Sequence, residues 1–406
     1  MDAVRNPYTP NAGAEPDVIV GRDDQIASFD LLLKRLQLKR TEQSMIITGL
    51  RGVGKTVLLG QFRTKALTAN WVVVEIEVTK HDDTQFRRDL AAKLRTALFE
   101  LDARAKWTER MKYAAGILKS FSLSVDPGGS LSAGIDVDAV QGFADHGDLA
   151  MDVSDVLVAL GEAASSVGRG VVLLLDEIQF LGQKQLEALI GGLHKVVQRK
   201  LPITLVGAGL PQIAELAGDA KSYAERLFKF PAIGYLSPAD ASTALSEPAS
   251  REGAHFDADA LEAALAITGG YPYFIQELGY AVWPIASDNR ITKDNIARAE
   301  AIYESKLDSS FFRVRLDRTT ELQRSYLRAM ASLGSLPQKA ADVAEVLGRT
   351  SPQMGPTRAE LIAMGLLYTP EHGYAGFTVP HFDKFMIRAI PELVIPKRRV
   401  RGKSPS

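Results

Sequence analysis

The chain has 406 residues, 46% of them apolar and 24% charged, which is enough for two or three domains with a substantial core. Its net charge of −1 argues against a globally basic nucleic-acid binder, though not against a local basic patch. Cysteine is absent, which excludes disulfides, thiolate metal sites and a cysteine nucleophile and suits a reducing cytoplasm. The histidines are scattered without metal-ligand spacing, no run reaches the length of a membrane span, and Met1 to Pro16 holds no apolar signal core. A cytoplasmic protein with no membrane partner and no transition metal is expected.

In chain order, residues 1–17 are polar and punctuated by proline and read as a flexible arm. Val18 to Asp23 leads into a helix marked by Ile26, Phe29, Leu32, Leu33 and Leu36. Met45-Ile46-Ile47 is a buried strand, and a glycine loop and a helix with Val57, Leu58, Leu59 and Phe62 follow. Trp71 to Val78 is a second strand, and Phe86, Leu90, Leu94 and Leu98 mark the next helix. Residues 100–147 are an insert in which Phe121, Leu123 and Val125, then Leu131, Ile135 and Val137, alternate around the turn signal Asp126-Pro127-Gly128-Gly129, predicting a β-hairpin. Helices at Asp152 to Ser166 and Lys184 to Gln198 flank an apolar strand from Val171. Pro202 to Ala208 is a fourth strand, Tyr223 to Lys229 a short helix, and Ala232 to Tyr235 a short fifth strand. Residues 237–292 hold helical patterns without strand signals, and residues 293–314 a long connecting helix after the capping residue Thr292. In residues 315–392, three helices (Thr320 to Ala331, Ala341 to Leu347, Pro352 to Met364) precede a hairpin around Pro370-Glu371-His372-Gly373, which is a winged-helix pattern. Residues 393–406 form a basic tail with Lys397, Arg398, Arg399, Arg401 and Lys403.

Two motifs carry chemistry. Gly49-Leu50-Arg51-Gly52-Val53-Gly54-Lys55-Thr56 fits the phosphate-binding pattern G-x-x-x-x-G-K-[ST], and it lies between a strand and a helix as that pattern requires. The glycines let backbone N–H groups turn onto a phosphate, Lys55 places a cation on the β/γ oxygens, and the Thr56 hydroxyl can ligate Mg²⁺. The binding set read from this loop is Gly49, Arg51, Gly52, Val53, Gly54, Lys55, Thr56 and Val57. The second motif, Val171-Val172-Leu173-Leu174-Leu175-Asp176-Glu177, is a strand buried on both faces that ends in two acids. Ligands in open α/β sheets bind at the carboxyl ends of strands. Asp176 therefore fits the Mg²⁺-facing carboxylate, and Glu177 fits the residue that orients or deprotonates attacking water. Asp and Glu also suit the first turn of a helix, so the pair alone has a second reading as a capped strand end.

With loop, acid pair, helical lid and winged helix in that order, the chain resembles AAA+-like ATPases. More narrowly, it is similar to the STAND signal-transduction ATPases and to archaeal and bacterial initiator-type ATPases, over Val18 to Pro391. The resemblance implies an α/β P-loop NTPase with a parallel sheet in residues 18–236, a helical lid, and a C-terminal winged-helix domain. It implies ATP or ADP with Mg²⁺ as ligands and hydrolysis of ATP to ADP and phosphate. Val20-Gly21-Arg22 resembles the Val-Gly-Arg segment that lies beside the adenine. Gly270-Tyr271-Pro272 resembles the Gly-x-Pro lid motif, with Pro272 near the base. Arg226 stands where the family places an arginine finger, and His381 where a winged-helix histidine can meet the β-phosphate of ADP. The fourth strand ends in Val206-Gly207-Ala208-Gly209 without the usual sensor Asn, and the helix after Gly270 offers Gln276 and Glu277 where an arginine sensor would be. These departures favour a regulatory switch over a motor.

The leading expectation is an ATP-hydrolysing regulatory switch that acts on a protein partner or through self-association. The alternative is an initiator-like DNA-binding ATPase, with Gln353 and Arg358 as base readers and Arg324, Arg349 and the tail on phosphates.

Overall fold

The computed structural model describes residues 1–80, 82–102, 107–126, 128–129 and 136–396. Contacts divide the chain into two units, one of residues 11–49 and 53–240 and the other of residues 1–10, 50–52 and 241–406.

The first unit is built on a parallel sheet of β1 (Ser44–Thr48), β2 (Val72–Glu77), β3 (Val171–Asp176), β4 (Ile203–Gly209) and β5 (Phe228–Lys229). Its spatial order is β2-β3-β4-β1-β5, so β4 lies between the strand that leads into the glycine loop and the strand that ends in the acids. The registers Leu175↔Gly207 and Thr48↔Gly209 bring the carboxyl ends of these three strands level. β1, β3 and β4 read as continuous apolar runs because helices cover both faces of the sheet. On one helix, Asp23–Gln37, Phe29, Leu32, Leu33 and Leu36 are buried at helical spacing, and Phe29 stacks on Phe62 of helix Lys55–Thr68 at 4.5 Å.

Three expectations change here. The fifth strand begins at Phe228, opposite Ser44, and Ala232 makes only an isolated bridge to Thr48. In the insert, Phe121 and Leu123 lie in helix Glu109–Leu123, which Thr108 caps. Met111, Ala115, Leu118 and Phe121 recur at helical spacing over about three turns, and this outweighs a five-residue alternation. The second arm of the expected hairpin, at Leu131 and Ile135, lies outside the described residues. The third change is the N-terminal arm, part of the second unit.

In the second unit, residues 1–10 are fixed rather than flexible. Tyr8 is 1% exposed, packs edge-on against Trp283, and donates its hydroxyl to the Leu245 carbonyl at 2.5 Å. The Thr9 N–H is donated to Gln276 Oε1 and the Trp283 indole N–H to the Asp2 carbonyl. A polar, proline-punctuated segment still docks when one aromatic fills a pocket and its backbone finds partners. Helices Pro238–Arg251, Ala258–Thr268 and Pro272–Val282 follow, with a two-stranded pair, His255–Phe256 and Arg290–Ile291, too short to show as periodicity. The connecting helix runs Lys293–Lys306 and then becomes a π-helix, Leu307–Phe312. Helices Glu321–Ser332, Ala340–Val346 and Ser351–Ala363 precede strands Leu367–Tyr368 and Tyr374–Phe377. Tyr374–Phe377 also pairs with Gln338–Lys339. The tail beyond Pro396 lies outside the described residues.

Candidate functional site

In the first unit, chemistry gathers at the carboxyl ends of β1 and β3. The loop turns into helix Lys55–Thr68 at Gly54, whose φ of 90° is open to glycine at little cost. Gly54 caps the helix with no side-chain bond to its first-turn N–H groups, which begin at Lys55, Thr56 and Val57. A helix start of this kind suits an anion. Lys55 is buried, at 8% exposure, and donates to the Gly49 carbonyl at 2.9 Å. Thr56 donates its hydroxyl to Asp176 Oδ2 at 2.6 Å, and the Glu177 N–H is donated to Asp176 Oδ1 at 2.8 Å. Glu177 itself adopts the left-handed conformation, with φ 53°, which a non-glycine residue takes at some cost and often at functional sites. Its carboxylate accepts from Gln179 Nε2. Thr56 and Asp176 present hard oxygen donors to one point, the donor set that Mg²⁺ prefers, so these residues fit the ion.

Arg22 reaches the loop from the segment before the first helix. Its guanidinium donates to the Val53 carbonyl at 3.1 Å, to the Gly234 carbonyl at 2.9 Å and to the Gly21 carbonyl at 2.9 Å. Burial pulls its pKa down and Asp240 partly offsets this. Gly21 has a φ of 66°, and a Cβ there would lie 2.9 Å from Asp240 Oδ2. In Val20-Gly21-Arg22, therefore, the arginine braces the loop backbone.

In the second unit, Arg51 and Gly52 are held through their backbone. The Arg51 N–H is donated to the Thr378 carbonyl and the Tyr273 N–H to the Gly52 carbonyl, both at 3.1 Å, and the Tyr271 hydroxyl donates to the Arg51 carbonyl. Pro272 is the first residue of helix Pro272–Val282, between these two tyrosines. Phe274 stacks on the His381 ring at 5.1 Å. The pKa of His381 is held below its ordinary value, first by burial and then by Lys384. Tyr273 stacks on Phe311 of the π-helix at 4.5 Å. Burial, and next the charge of Arg51, push the Arg315 pKa down to about 10. His381, distant in sequence, thus packs on the helix that Pro272 begins, through Phe274.

Arg226 is not brought to the loop of its own chain. It is exposed on the short helix Ala224–Leu227, just before the amino end of β5, and its carbonyl accepts from Gln43 ahead of β1. That is the end of the sheet opposite the loop, so Arg226 drops out of the in-chain catalytic set. Gln353 caps its own helix by accepting the Thr350 N–H at 3.1 Å, and Arg349 donates to the Pro396 carbonyl. Sequence reasoning missed Gln179 and Tyr273 and named Tyr271 only as the middle residue of Gly270-Tyr271-Pro272. Gln179 is findable as a polar residue two positions past Glu177 in a turn, whereas nothing local to Tyr273 sets it apart.

The α/β unit, with its loop between β1 and a helix and its acids at the end of β3, is a P-loop ATPase domain of the AAA type. Residues 18–206 match the family described as AAA ATPase domain, and residues 309–386 match a domain of unknown function. No curated protein matches the sequence. Among solved structures, the chain is similar to a Walker-type ATPase of Pyrococcus abyssi, at 13% identity and a TM-score of 0.56, over 92% of this chain and 97% of that one. It also matches the Orc1 protein of Aeropyrum pernix in complex with DNA, at 16% identity and a TM-score of 0.46, over 95% and 96%. The Cdc6p structure from Pyrobaculum aerophilum matches at 13% identity and a TM-score of 0.47, over 96% and 98%. At 13% identity the likeness to the Pyrococcus abyssi structure concerns the fold alone.

Proposed function

We propose that the protein is a Mg²⁺-dependent ATP-binding and ATP-hydrolysing regulatory switch of the cytoplasm. The observation that carries this reading is the Thr56–Asp176 hydrogen bond with Glu177 directly beside it. The loop and the first turn of helix Lys55–Thr68 hold the phosphates, and Lys55 adds a cation to the β/γ oxygens. Thr56 and Asp176 would hold Mg²⁺, which when bound neutralises charge on those oxygens. Glu177 orients the attacking water and takes its proton as the γ-phosphoryl group transfers. The rest of catalysis is positioning and electrostatics.

The backbone bonds of Arg51 and Gly52 to Thr378 and Tyr273 support coupling between nucleotide state and the C-terminal helices and hairpin. In this reading Pro272 and His381 report ADP against ATP, and His381→Ala weakens ADP more than ATP. Hydrogen exchange across Leu366 to Ile390 with each nucleotide tests it. Equal protection with ADP and ATP, in wild type and variant alike, counts against a switch.

A second reading, an initiator-like ATPase that binds DNA through a winged helix, is favoured by one feature. A 360 Å³ cavity between helix Ser351–Ala363 and the hairpin turn is lined by Lys339, Arg358 and His372, with no acidic residue in its lining. Duplex affinity that falls steeply with salt supports this reading, and the absence of affinity at low salt removes it.

A further inference from the structure

We propose that Gln179 is the positioning residue for Glu177, tying its carboxylate to the end of β4. The inference rests on the hydrolytic role of Glu177 given above. Gln179 Nε2 donates to Glu177 Oε2, and Gln179 Oε1 accepts the Leu210 N–H at 3.1 Å. The orientation of the amide follows from chemistry alone. A backbone N–H can only donate and an ionised carboxylate can only accept, so the oxygen must face Leu210 and the nitrogen must face Glu177.

The anchor at the far end is rigid. Leu210 follows β4, which pairs with β3 on one side and β1 on the other, and the Gly209 carbonyl accepts the Gly49 N–H at 3.1 Å. The bridge therefore refers the Glu177 carboxylate to the strand that also fixes the start of the phosphate loop. β4 gives way to admit it. A Cβ on Gly209 would sit 2.7 Å from Gln179 Oε1, and one on Gly207 would sit 2.8 Å from Ile178 Cδ1. Ile178 is buried and pins the turn that carries Gln179.

The same contact accounts for the missing polar residue at the end of β4. The one hydroxyl on that strand, Thr204, is bonded to Ser44 at 2.9 Å near the amino end of the sheet, so it cannot serve the site. Here the polar link from β4 to the catalytic carboxylate runs through the main chain of Leu210 and the side chain of Gln179. Without that link, Glu177 keeps its charge and loses its fixed direction, which lowers the fraction of bound ATP with a correctly placed water.

The test is steady-state Mg²⁺-ATP hydrolysis by the full chain and four variants. Gln179→Met keeps length and packing and deletes both hydrogen bonds. Gln179→Glu keeps the acceptor for Leu210, loses the bond to Glu177 and sets a second carboxylate against it. The others are Glu177→Gln and the double variant Glu177→Gln/Gln179→Met. Both single Gln179 variants are expected to lower kcat about tenfold to hundredfold, with KM within about twofold. In the double variant the second change should add nothing, because Gln179 acts through Glu177. If kcat in Gln179→Met is unchanged or raised, or the two losses multiply, the positioning role is wrong while the ATPase reading stands. If wild type does not turn over, or Glu177→Gln turns over like wild type, the ATPase reading itself fails and takes this inference with it.

Discussion

The Thr56 hydroxyl donates to Asp176 Oδ2 at 2.6 Å across 120 residues of sequence. Thr56 opens the helix after β1 and Asp176 closes β3, and the two strands are not neighbours, since β4 separates them. One hydrogen bond thus joins the loop residue and the strand-end acid that would share a hard cation.

Mg²⁺-ATP should stabilise the protein against heat. Ligand at about a hundred times its dissociation constant adds roughly 2.7 kcal/mol. Lys55→Ala removes the phosphate-facing cation and should abolish most of the shift in a thermal melt. An unchanged shift would show that the nucleotide does not use this loop.

Glu177→Gln preserves shape and removes the basic oxygen. It should bind Mg²⁺-ATP normally and hydrolyse it about 10²–10⁴-fold more slowly. Asp176→Ala should instead weaken binding in a Mg²⁺-dependent way, because it removes the carboxylate that, with Thr56, would hold the metal. Calorimetry with and without Mg²⁺, beside turnover rates, separates the two effects. Wild-type turnover in Glu177→Gln would place the base elsewhere.

His381 should make the second unit acid-sensitive. Burial and Lys384 lower its pKa, Arg388 adds to this, and Asp383 and Glu304 oppose it. As pH falls, the unfolded chain therefore takes up the proton first, near its unperturbed pKa of about 6.5. The contribution to stability is complete above that value and is lost as pH falls through the lower folded pKa. His381→Asn tolerates the left-handed backbone at this position and does not titrate. Its melting temperature should fall less than that of wild type between about pH 7.5 and 5. Parallel losses would remove His381 as the cause.

Two buried groups set stability away from the site. Tyr8→Ala should cost about 3–5 kcal/mol by emptying an aromatic pocket. Asp152 is fully buried, lies 2.7 Å from Arg87 and accepts the His146 N–H at 3.0 Å, so Asp152→Ala should cost about 3–5 kcal/mol by stranding the guanidinium. Denaturant melts of each variant against wild type measure both losses. A change below about 1 kcal/mol in Tyr8→Ala would mean that the arm is not docked in solution.

The sequence by itself determined the loop, the acid pair and the strands that carry them, because each is a local pattern. A glycine spacing sets backbone geometry, and an uninterrupted apolar run sets a strand covered on both faces. The three C-terminal helices and the hairpin were legible for the same reason. Only the tertiary structure decided which distant groups meet. It placed β4 between β1 and β3, and that set Gln179 between Glu177 and Leu210. It turned Arg22 onto the Val53 carbonyl, stacked His381 on Phe274, and put Arg226 at the wrong end of the sheet for the loop of its own chain. It also fixed the N-terminal arm through one buried tyrosine. None of these leaves a period in the sequence, because each depends on a single side chain finding a partner that only long-range packing brings within reach.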